Sequence, residues 1–342
     1  MTVRIAGIGL GGLGLLELEQ FAAMDGVEVV AGVDPSVAAR DRFIEAFEQP
    51  VYETTEELLA DHDDLDAATV ASVHAGHFEQ ATACIEAGLD VHLEKPMVTT
   101  VDEAVALVDI ADDRDALVQV GYQRHVDPYY VELRRLIEAG AVGTPQMAHA
   151  HLQQDWLRDY AQSWRGNPSL SGGGFLYDSG SHVMDALPWA LSGEPIEVAA
   201  LTDDRGEGIE IDAAISARFE RDDGVVTASA GVCGDGTRTP DVDDGLTVYG
   251  TEGSLHYDGE SLVHVERGGE ERTVEVDGDD DFETLTRKKL ENFVAAIRGE
   301  EELVAPPKDG LRAIAFAEAT VLAAERGETV DVQELVDAAR TR

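Results

Sequence analysis

Val3-Arg-Ile-Ala-Gly7-Ile-Gly9-Leu-Gly-Gly12 opens as a short apolar strand, Val3–Ile8, and runs straight into glycines at 7, 9, 11 and 12. Leu13, Leu16, Leu18, Phe21 and Ala22 then supply the apolar positions of a helix. With 34 glycines among 342 residues, the spacing Gly7-x-Gly9-x-x-Gly12 arises by chance about 0.3 times, so the match alone is weak. Its setting gives it weight, because it follows a strand and opens a helix. Glycines let the backbone approach a pyrophosphate, and a helix N-terminus offers free N–H groups and partial positive charge. A second strand, Val27–Val33, ends at Asp34, whose carboxylate can accept hydrogen bonds from a ribose. The plain alternative is a Gly-rich turn with a helix-capping aspartate.

Outward from this stretch the alternation continues. A helix is expected over Ala38–Phe47, a strand at Val51-Tyr52, a strand over Ala67–Val73 and a helix over Phe78–Ala87. A strand at Asp90–Glu94, a helix at Val101–Asp112 and a strand at Leu117–Gly121 complete the series. Strand–helix alternation with short connections predicts an α/β doubly wound parallel sheet over residues 1–122. Residues 123–342 read differently. A helix at Pro128–Ala139, a strand at Gln146–Gln153 and a helix through Tyr177–Leu191 precede short alternating strands from Ile196 to Val276. Amphipathic helices over Phe282–Arg298 and Lys308–Glu325 follow and could pack back on the first domain. This predicts an α+β domain with an open, mainly antiparallel sheet.

Composition narrows the function. The chain carries 69 Asp+Glu against 25 Lys+Arg, a formal charge of −44. Such a surface repels phosphate backbones and anionic lipid, and the densest basic cluster, Arg287-Lys288-Lys289, stands beside Glu283 and Glu291. No nucleic acid or membrane partner is expected. Only four lysines occur, at 95, 288, 289 and 308, and this acidic, lysine-poor surface suits concentrated salt. No apolar run approaches the ~18 residues a membrane span requires. Cys84 and Cys233 read as reduced core thiols of a cytoplasmic protein, and no Cys/His cluster has metal-ligand spacing.

Three further stretches carry chemistry. Glu94-Lys95-Pro96 follows the strand Val91–Leu93, and Lys95 is the only lysine before residue 288. It stands at the carboxyl end of a parallel strand, where open α/β sheets bind ligands, and lysine is a compact donor where arginine is a planar fork. Asp178-x-x-x-His182 would stack a carboxylate and an imidazole on one helix face, an arrangement suited to taking a proton from an alcohol. Gly121-Tyr122-Gln123-Arg-His125, with Trp164-Arg165 and Asp155 further on, places polar and aromatic groups where the chain leaves the first domain. An interdomain hinge with buried polar contacts is the alternative for that stretch.

Together these residues resemble the Gfo/Idh/MocA family of oxidoreductases. Ala6–Gly12 resembles its nucleotide loop, Ala71-Ser-Val-His-Ala-Gly-His77 its strand-four signature, and Ala87–Pro96 its most specific motif. Gly121–Pro128, Gly172–His182 and Tyr249-Gly-Thr-Glu-Gly253 also fit, while Val73 and His125 depart from the residues usual there. The resemblance implies a Rossmann domain binding NAD, with NADP as the alternative, through Gly7, Gly9, Leu10, Gly12, Leu13, Asp34, Ser72, Val73, His77, Glu94, Lys95 and Gln123. It implies Lys95, Asp178 and His182 as the catalytic set. Lys95, Tyr122, Gln123, Asp155, Trp164, Arg165, Asp178 and His182 would bind the substrate, and no metal is implied. The expected activity is hydride transfer between the nicotinamide and a hydroxyl-bearing carbon of a sugar, inositol or related polyol. A lyase or glycosidase that uses NAD, and a nucleotide sensor without turnover, are the rivals. Small and apolar residues on more than one side of segments such as Ile209–Phe219 and Val225–Val232, for example Ala213, Ala214, Ile215 and Ala217, add the expectation of a homodimer or homotetramer formed through the C-terminal sheet.

Overall fold

The computed structural model describes residues 2–239 and 242–342; Met1 lies outside, as do Pro240 and Asp241 within the expected meander. In chain order the first elements are β1 (Val3–Ile8), α1 (Gly12–Ala22), β2 (Val27–Val33), α2 (Val37–Phe47), β3 (Val51–Tyr52), α3 (Thr55–Asp61), β4 (Ala67–Val70), α4 (His77–Glu86), β5 (Asp90–Leu93), α5 (Val101–Arg114) and β6 (Val118–Val120). There follow α6 (Pro128–Glu138), β7 (Pro145–Gln153), α7 (Trp156–Asp159), α8 (Pro168–Ser171) and α9 (Ser181–Leu191). Seven strands come next: β8 (Glu194–Asp203), β9 (Asp212–Arg221), β10 (Gly224–Cys233), β11 (Asp243–Gly250), β12 (Gly253–Tyr257), β13 (Leu262–Glu266) and β14 (Glu271–Val274). The chain closes with α10 (Phe282–Ile297), α11 (Pro307–Arg326), β15 (Val330–Asp331) and α12 (Val332–Arg340). The short α3 and the closing β15–α12 are elements that periodicity did not reveal.

Two units divide the chain. One runs to Val98 and adds Glu103–Gln123 and Asp281–Leu311; the other comprises Thr99–Asp102, Arg124–Asp280 and Arg312–Arg342. The first is built on a parallel six-stranded sheet in the order β3-β2-β1-β4-β5-β6. Helices cover both faces of such a sheet, which is why β1 and β4 are apolar along nearly their whole length. Leu18 and Phe21 of α1 pack with Leu290, Phe293 and Val294 of α10, and all five are buried. Truncating a buried phenylalanine of this kind costs about 3–5 kcal/mol, so Phe293 is a main anchor of α10.

The second unit carries a nine-stranded sheet in the order β14-β13-β12-β11-β7-β10-β9-β8-β15. Every pairing is antiparallel except β7 with β10. Burial alternates along β9 and β10. Ala213, Ile215, Ala217 and Phe219 of β9, with Val226, Ala228, Ala230 and Val232 of β10, point inward. The fold is α/β, with a Rossmann sheet and a second, mixed and mainly antiparallel sheet. Among the described residues, no helix is long and apolar enough to cross a membrane.

One helix boundary differs from expectation in a way that bears on the site. The helix expected from Tyr177 begins only at Ser181, so Asp178 precedes it. The chain from Phe175 to Gly180 is a tight coil, with Phe175 N–H donating to Glu210 O at 2.9 Å and Gly180 N–H to Phe175 O at 2.8 Å. A Cβ on Gly180 would stand 2.7 Å from Leu176 Cα, so the coil depends on glycine there.

Candidate active site

The first unit holds the nucleotide loop. Gly9 adopts a φ of +90°, and a Cβ there would lie 2.6 Å from the Ala71 backbone, so both conformation and space demand glycine. The close helix–loop approach falls to Gly14, which sequence spacing did not single out: its Cβ would come 2.0 Å from Gly9 O. Gly11 and Gly12 by contrast face open space, at the N-terminus of an eleven-residue helix with no side-chain cap and no acid in its first turn. Free N–H groups beside a face that any side chain would obstruct fit a pyrophosphate. Leu10 is buried and Leu13 half-buried.

Asp34 lies beside this loop. Its Oδ2 accepts the Leu10 N–H at 2.8 Å and its Oδ1 the Ser36 N–H at 2.8 Å. Arg40 donates to the Asp34 and Pro35 carbonyls at 2.7 and 3.0 Å, which fixes the backbone after β2. Each Asp34 oxygen retains acceptor capacity for a ribose hydroxyl.

The loops after β4 and β5 support one another. Ser72 Oγ donates to Gln80 Oε1 at 2.5 Å, and Val73 beside it is half-buried. His77 is fully buried, with Nδ1 2.9 Å from Pro96 O and Nε2 3.3 Å from Ser72 O. Burial lowers its pKa even though both carbonyls oppose the shift. The ring is therefore neutral, and the shorter distance assigns its N–H to Pro96. His77 thus braces the Lys95-Pro96 turn, whose peptide is cis, from beneath. Lys95 is half-buried, and its N–H donates to Glu94 Oε2 at 3.2 Å. Tyr122 is fully buried, and Gln123 Nε2 donates to Thr286 Oγ1 at 3.1 Å.

Beneath Glu94 lies a cluster with no clear signal in the sequence. Lys289 of α10 is buried with its Nζ 2.9 Å from Glu17 Oε1 and paired with Glu94 Oε1. Thr69 Oγ1 donates to Glu17 Oε2 at 3.0 Å and stands 3.0 Å from His92 Nδ1. Thr69 has one proton to give and the carboxylate can only accept, so His92 must carry its proton on Nδ1. Burial, then the Lys289 charge, push the His92 pKa down to about 3, so it is a neutral donor rather than an ion-pair partner of Glu17. Glu17 shares the buried face of α1 with Gly14, Leu18 and Phe21, and a carboxylate at such a position was the one hint of this arrangement.

The second unit holds Asp178 and His182, the pair expected from sequence to handle the proton. Asp178 is buried, and its Oδ2 accepts Trp156 Nε1–H at 2.7 Å and meets Arg165 Nε at 3.0 Å. The Arg165 guanidinium lies 4.6 Å from the Trp164 ring centroid and 5.4 Å from that of Tyr160. Asp155 is buried with Oδ2 2.9 Å from Arg158 Nη1. The structure therefore brings Asp178, Trp164 and Arg165 together and adds Trp156 and Tyr160, which sequence reading passed over. His182 lies in the first turn of α9, its N–H donating to Ser179 O at 3.1 Å. Because α9 starts at Ser181, the Asp178/His182 spacing is that of a coil entering a helix, not of two residues stacked on one helical face. His125, expected near the site, is buried against Asp185 Oδ1 at 3.0 Å and stacks on Trp189 with centroids 4.4 Å apart.

Comparisons with known proteins agree with both units. The model described as an oxidoreductase family with an NAD-binding Rossmann fold matches residues 3–122, and that of the GFO/IDH/MocA C-terminal domain matches residues 130–256. Inositol 2-dehydrogenase 1 of Saccharopolyspora erythraea is 31% identical over 358 aligned positions, covering 98% of each chain. 1,5-Anhydro-D-fructose reductase of Ensifer adhaerens is 30% identical over 82% of this chain and 83% of its own. Levoglucosan dehydrogenase, solved in complex with NADH, shares the fold with a TM-score of 0.87 at 20% identity, covering 97% of this chain and 99% of that one.

Proposed function

Since the chain belongs to the GFO/IDH/MocA oxidoreductase family, whose Rossmann domain binds NAD, we propose that it oxidises or forms a secondary alcohol on a sugar, inositol or related polyol. The observation that carries this reading is the 31% identity to an inositol 2-dehydrogenase along 98% of both chains. The open backbone at Gly11 and Gly12 accepts the pyrophosphate, and Asp34 accepts hydrogen bonds from the adenosine ribose.

When bound, the nicotinamide supplies the two-electron acceptor or donor. The protein supplies the rest. The Lys95 ammonium holds and polarises the reacting hydroxyl, and the His182 imidazole takes its proton on oxidation and returns one on reduction. Asp178 orients that imidazole, and Trp156 and Arg165 lock the carboxylate itself through Oδ2. Tyr122, Gln123, Asp155, Trp164 and Arg165 select the remaining hydroxyls. Two unpaired cysteines fit a reducing cytoplasm.

We also place a homodimer or homotetramer contact on the outer face of the second unit's sheet. Met147 and Tyr249 are paired across β7 and β11 on that face, while Leu201 is 76% and Val225 53% exposed. Between them stand Ala214, Ser216, Thr227 and Ser229, interrupted by Arg218, which pairs with Glu197 at 3.0 Å.

The test of the activity is NADH formation at 340 nm over a panel of inositols, aldoses and anhydrosugars in molar KCl. Turnover of at least one polyol is expected. Bond cleavage without net NADH would identify a lyase or glycosidase. NAD binding with no conversion of any compound would identify a sensor.

A further inference from the structure

The cluster under the Lys95 turn joins three distant parts of the first unit. Glu17 comes from α1, His92 and Glu94 from the strand β5 and its end, and Lys289 from α10. Glu17, His92 and Glu94 offer ligand atoms within 4.8 Å of one another, a spacing that a cation would take, and the Lys289 ammonium is set between the two carboxylates. This chain prefers arginine throughout, yet two of its four lysines meet at one turn: Lys95 on it and Lys289 beneath it. A guanidinium is broader than an ammonium and would not fit the same point between two carboxylates.

The Glu94 side chain is held from three sides. Gly121 leaves room for it, since a Cβ there would lie 2.4 Å from Glu94 Oε1. Lys289 pairs with that same Oε1, and Oε2 accepts the Lys95 N–H at 3.2 Å. Gln119 Nε2 donates to Lys289 O at 2.6 Å and ties this turn of α10 to β6. One path from the buried ammonium to the Lys95 backbone thus runs through the Glu94 carboxylate.

We propose that Lys289 is a positioning residue: by clamping Glu94 against Gly121 it fixes the backbone of the Glu94-Lys95-Pro96 turn and so aims the Lys95 side chain. Burial opposes the ammonium charge, but Glu17 and then Glu94 outweigh it and hold the pKa of Lys289 above its ordinary value. The clamp is therefore a permanent charge. Its consequence for catalysis rests on the reading of Lys95 as the hydroxyl-binding group; its consequence for the turn does not.

The experiment compares wild type with Lys289→Met, which keeps the chain length and removes the charge, and with Lys289→Met/Glu17→Gln, which also removes one of the two facing carboxylates. Hydrogen exchange of residues 94–98 is followed by mass spectrometry in molar KCl, beside NADH affinity, Tm and steady-state kinetics. Exchange at 94–98 is expected to quicken at least tenfold, with peptides from β1 and β2 changed less than twofold. On a polyol that the wild type oxidises, kcat should fall at least tenfold while the NADH Kd moves less than threefold. The double variant should regain Tm without regaining loop protection or kcat.

Unchanged exchange at 94–98 in a folded variant overturns the proposal. So does recovery of loop protection and kcat together with Tm in the double variant, which would mean that Lys289 only stabilises the core. If neither variant folds, the role is likewise structural and the proposal fails. A wild type inactive on every polyol would refute the functional reading alone, and the exchange measurement would still decide the role of Lys289.

Discussion

Asp34 Oδ2 accepts the backbone N–H of Leu10 at 2.8 Å, so the carboxylate at the end of β2 is also a strut of the nucleotide loop. One side chain thus shapes the loop and, on the proposed reading, sets the charge next to the adenosine ribose. A 2′-phosphate placed there would meet that charge, and NAD should be preferred to NADP. Asp34→Asn keeps one acceptor, for Leu10, and removes the charge, at the cost of the bond from the Ser36 N–H. It should shrink the NAD:NADP ratio of kcat/KM about tenfold, or ~1.4 kcal/mol, with a smaller fall in Tm than Asp34→Ala. Asp34→Ala should lower Tm as well, because the loop loses its strut. A wild type that prefers NADP would refute this.

Lys95→Arg should abolish turnover and leave NADH affinity within a few-fold of wild type. A guanidinium cannot take an ammonium's place at a reacting oxygen, whereas the proposed pyrophosphate contacts lie in the Gly9–Gly12 loop. Fluorescence titration with NADH and a 340 nm assay on the same preparation separate the two effects. An active arginine variant would remove Lys95 from the chemistry.

Acid should destabilise the first unit from about pH 6.5 downward. His77 and His92 are held neutral in the folded state by burial, and the His92 pKa is pushed down to about 3. Once unfolded, both regain a pKa near 6.5. Below that pH the unfolded chain binds protons that the folded chain refuses, so stability present at neutral pH is lost as pH falls. For His92 the slope approaches about 1.4 kcal/mol per pH unit, or ~2 kcal/mol by pH 5, and His77 adds in the same direction. Urea unfolding from pH 7 to pH 5 should show a shallower decline in His92→Gln than in wild type. Equal slopes would mean that His92 is protonated in the folded protein.

At −44, the folded chain should need salt. The Debye length falls from ~10 Å at 0.1 M to ~3 Å at 1 M, which screens repulsion among exposed carboxylates while leaving buried pairs such as Lys289–Glu17 largely untouched. Tm should rise steadily from 0.1 to 2 M KCl. A flat profile would contradict a protein suited to concentrated salt.

Light scattering in molar KCl should give a multiple of the 36.7 kDa chain mass. Leu201→Asp, on the outer sheet face where that side chain is 76% exposed, should shift the population toward monomer without lowering the monomer's own stability. A wild-type mass near that of one chain would show this face to be open to solvent.

Local pattern alone sufficed for much of the molecule. An apolar run ending in glycines, repeated strand–helix alternation, and inward alanines on every second position of β9 each record which face of an element meets water. That information lies within a few neighbouring residues, which is why the two sheets and the nucleotide loop could be read from the chain. Lys95, Asp178 and His182 stood out by residue type and spacing, and their catalytic roles are part of the proposal.

What the sequence could not decide were relationships between residues far apart along the chain. Lys289 looks like part of a surface basic cluster with Arg287 and Lys288, yet α10 turns it inward to Glu17 and Glu94, 195 positions away from the latter. Asp178 looks helical from its spacing to His182, but the Glu210 carbonyl captures the Phe175 N–H and delays the helix to Ser181. Trp156 carries no motif, and only folding sets its indole N–H on Asp178. In each case the deciding energy is the need of a buried charge or polar group for a partner, and that partner is chosen by packing rather than by the residues next to it.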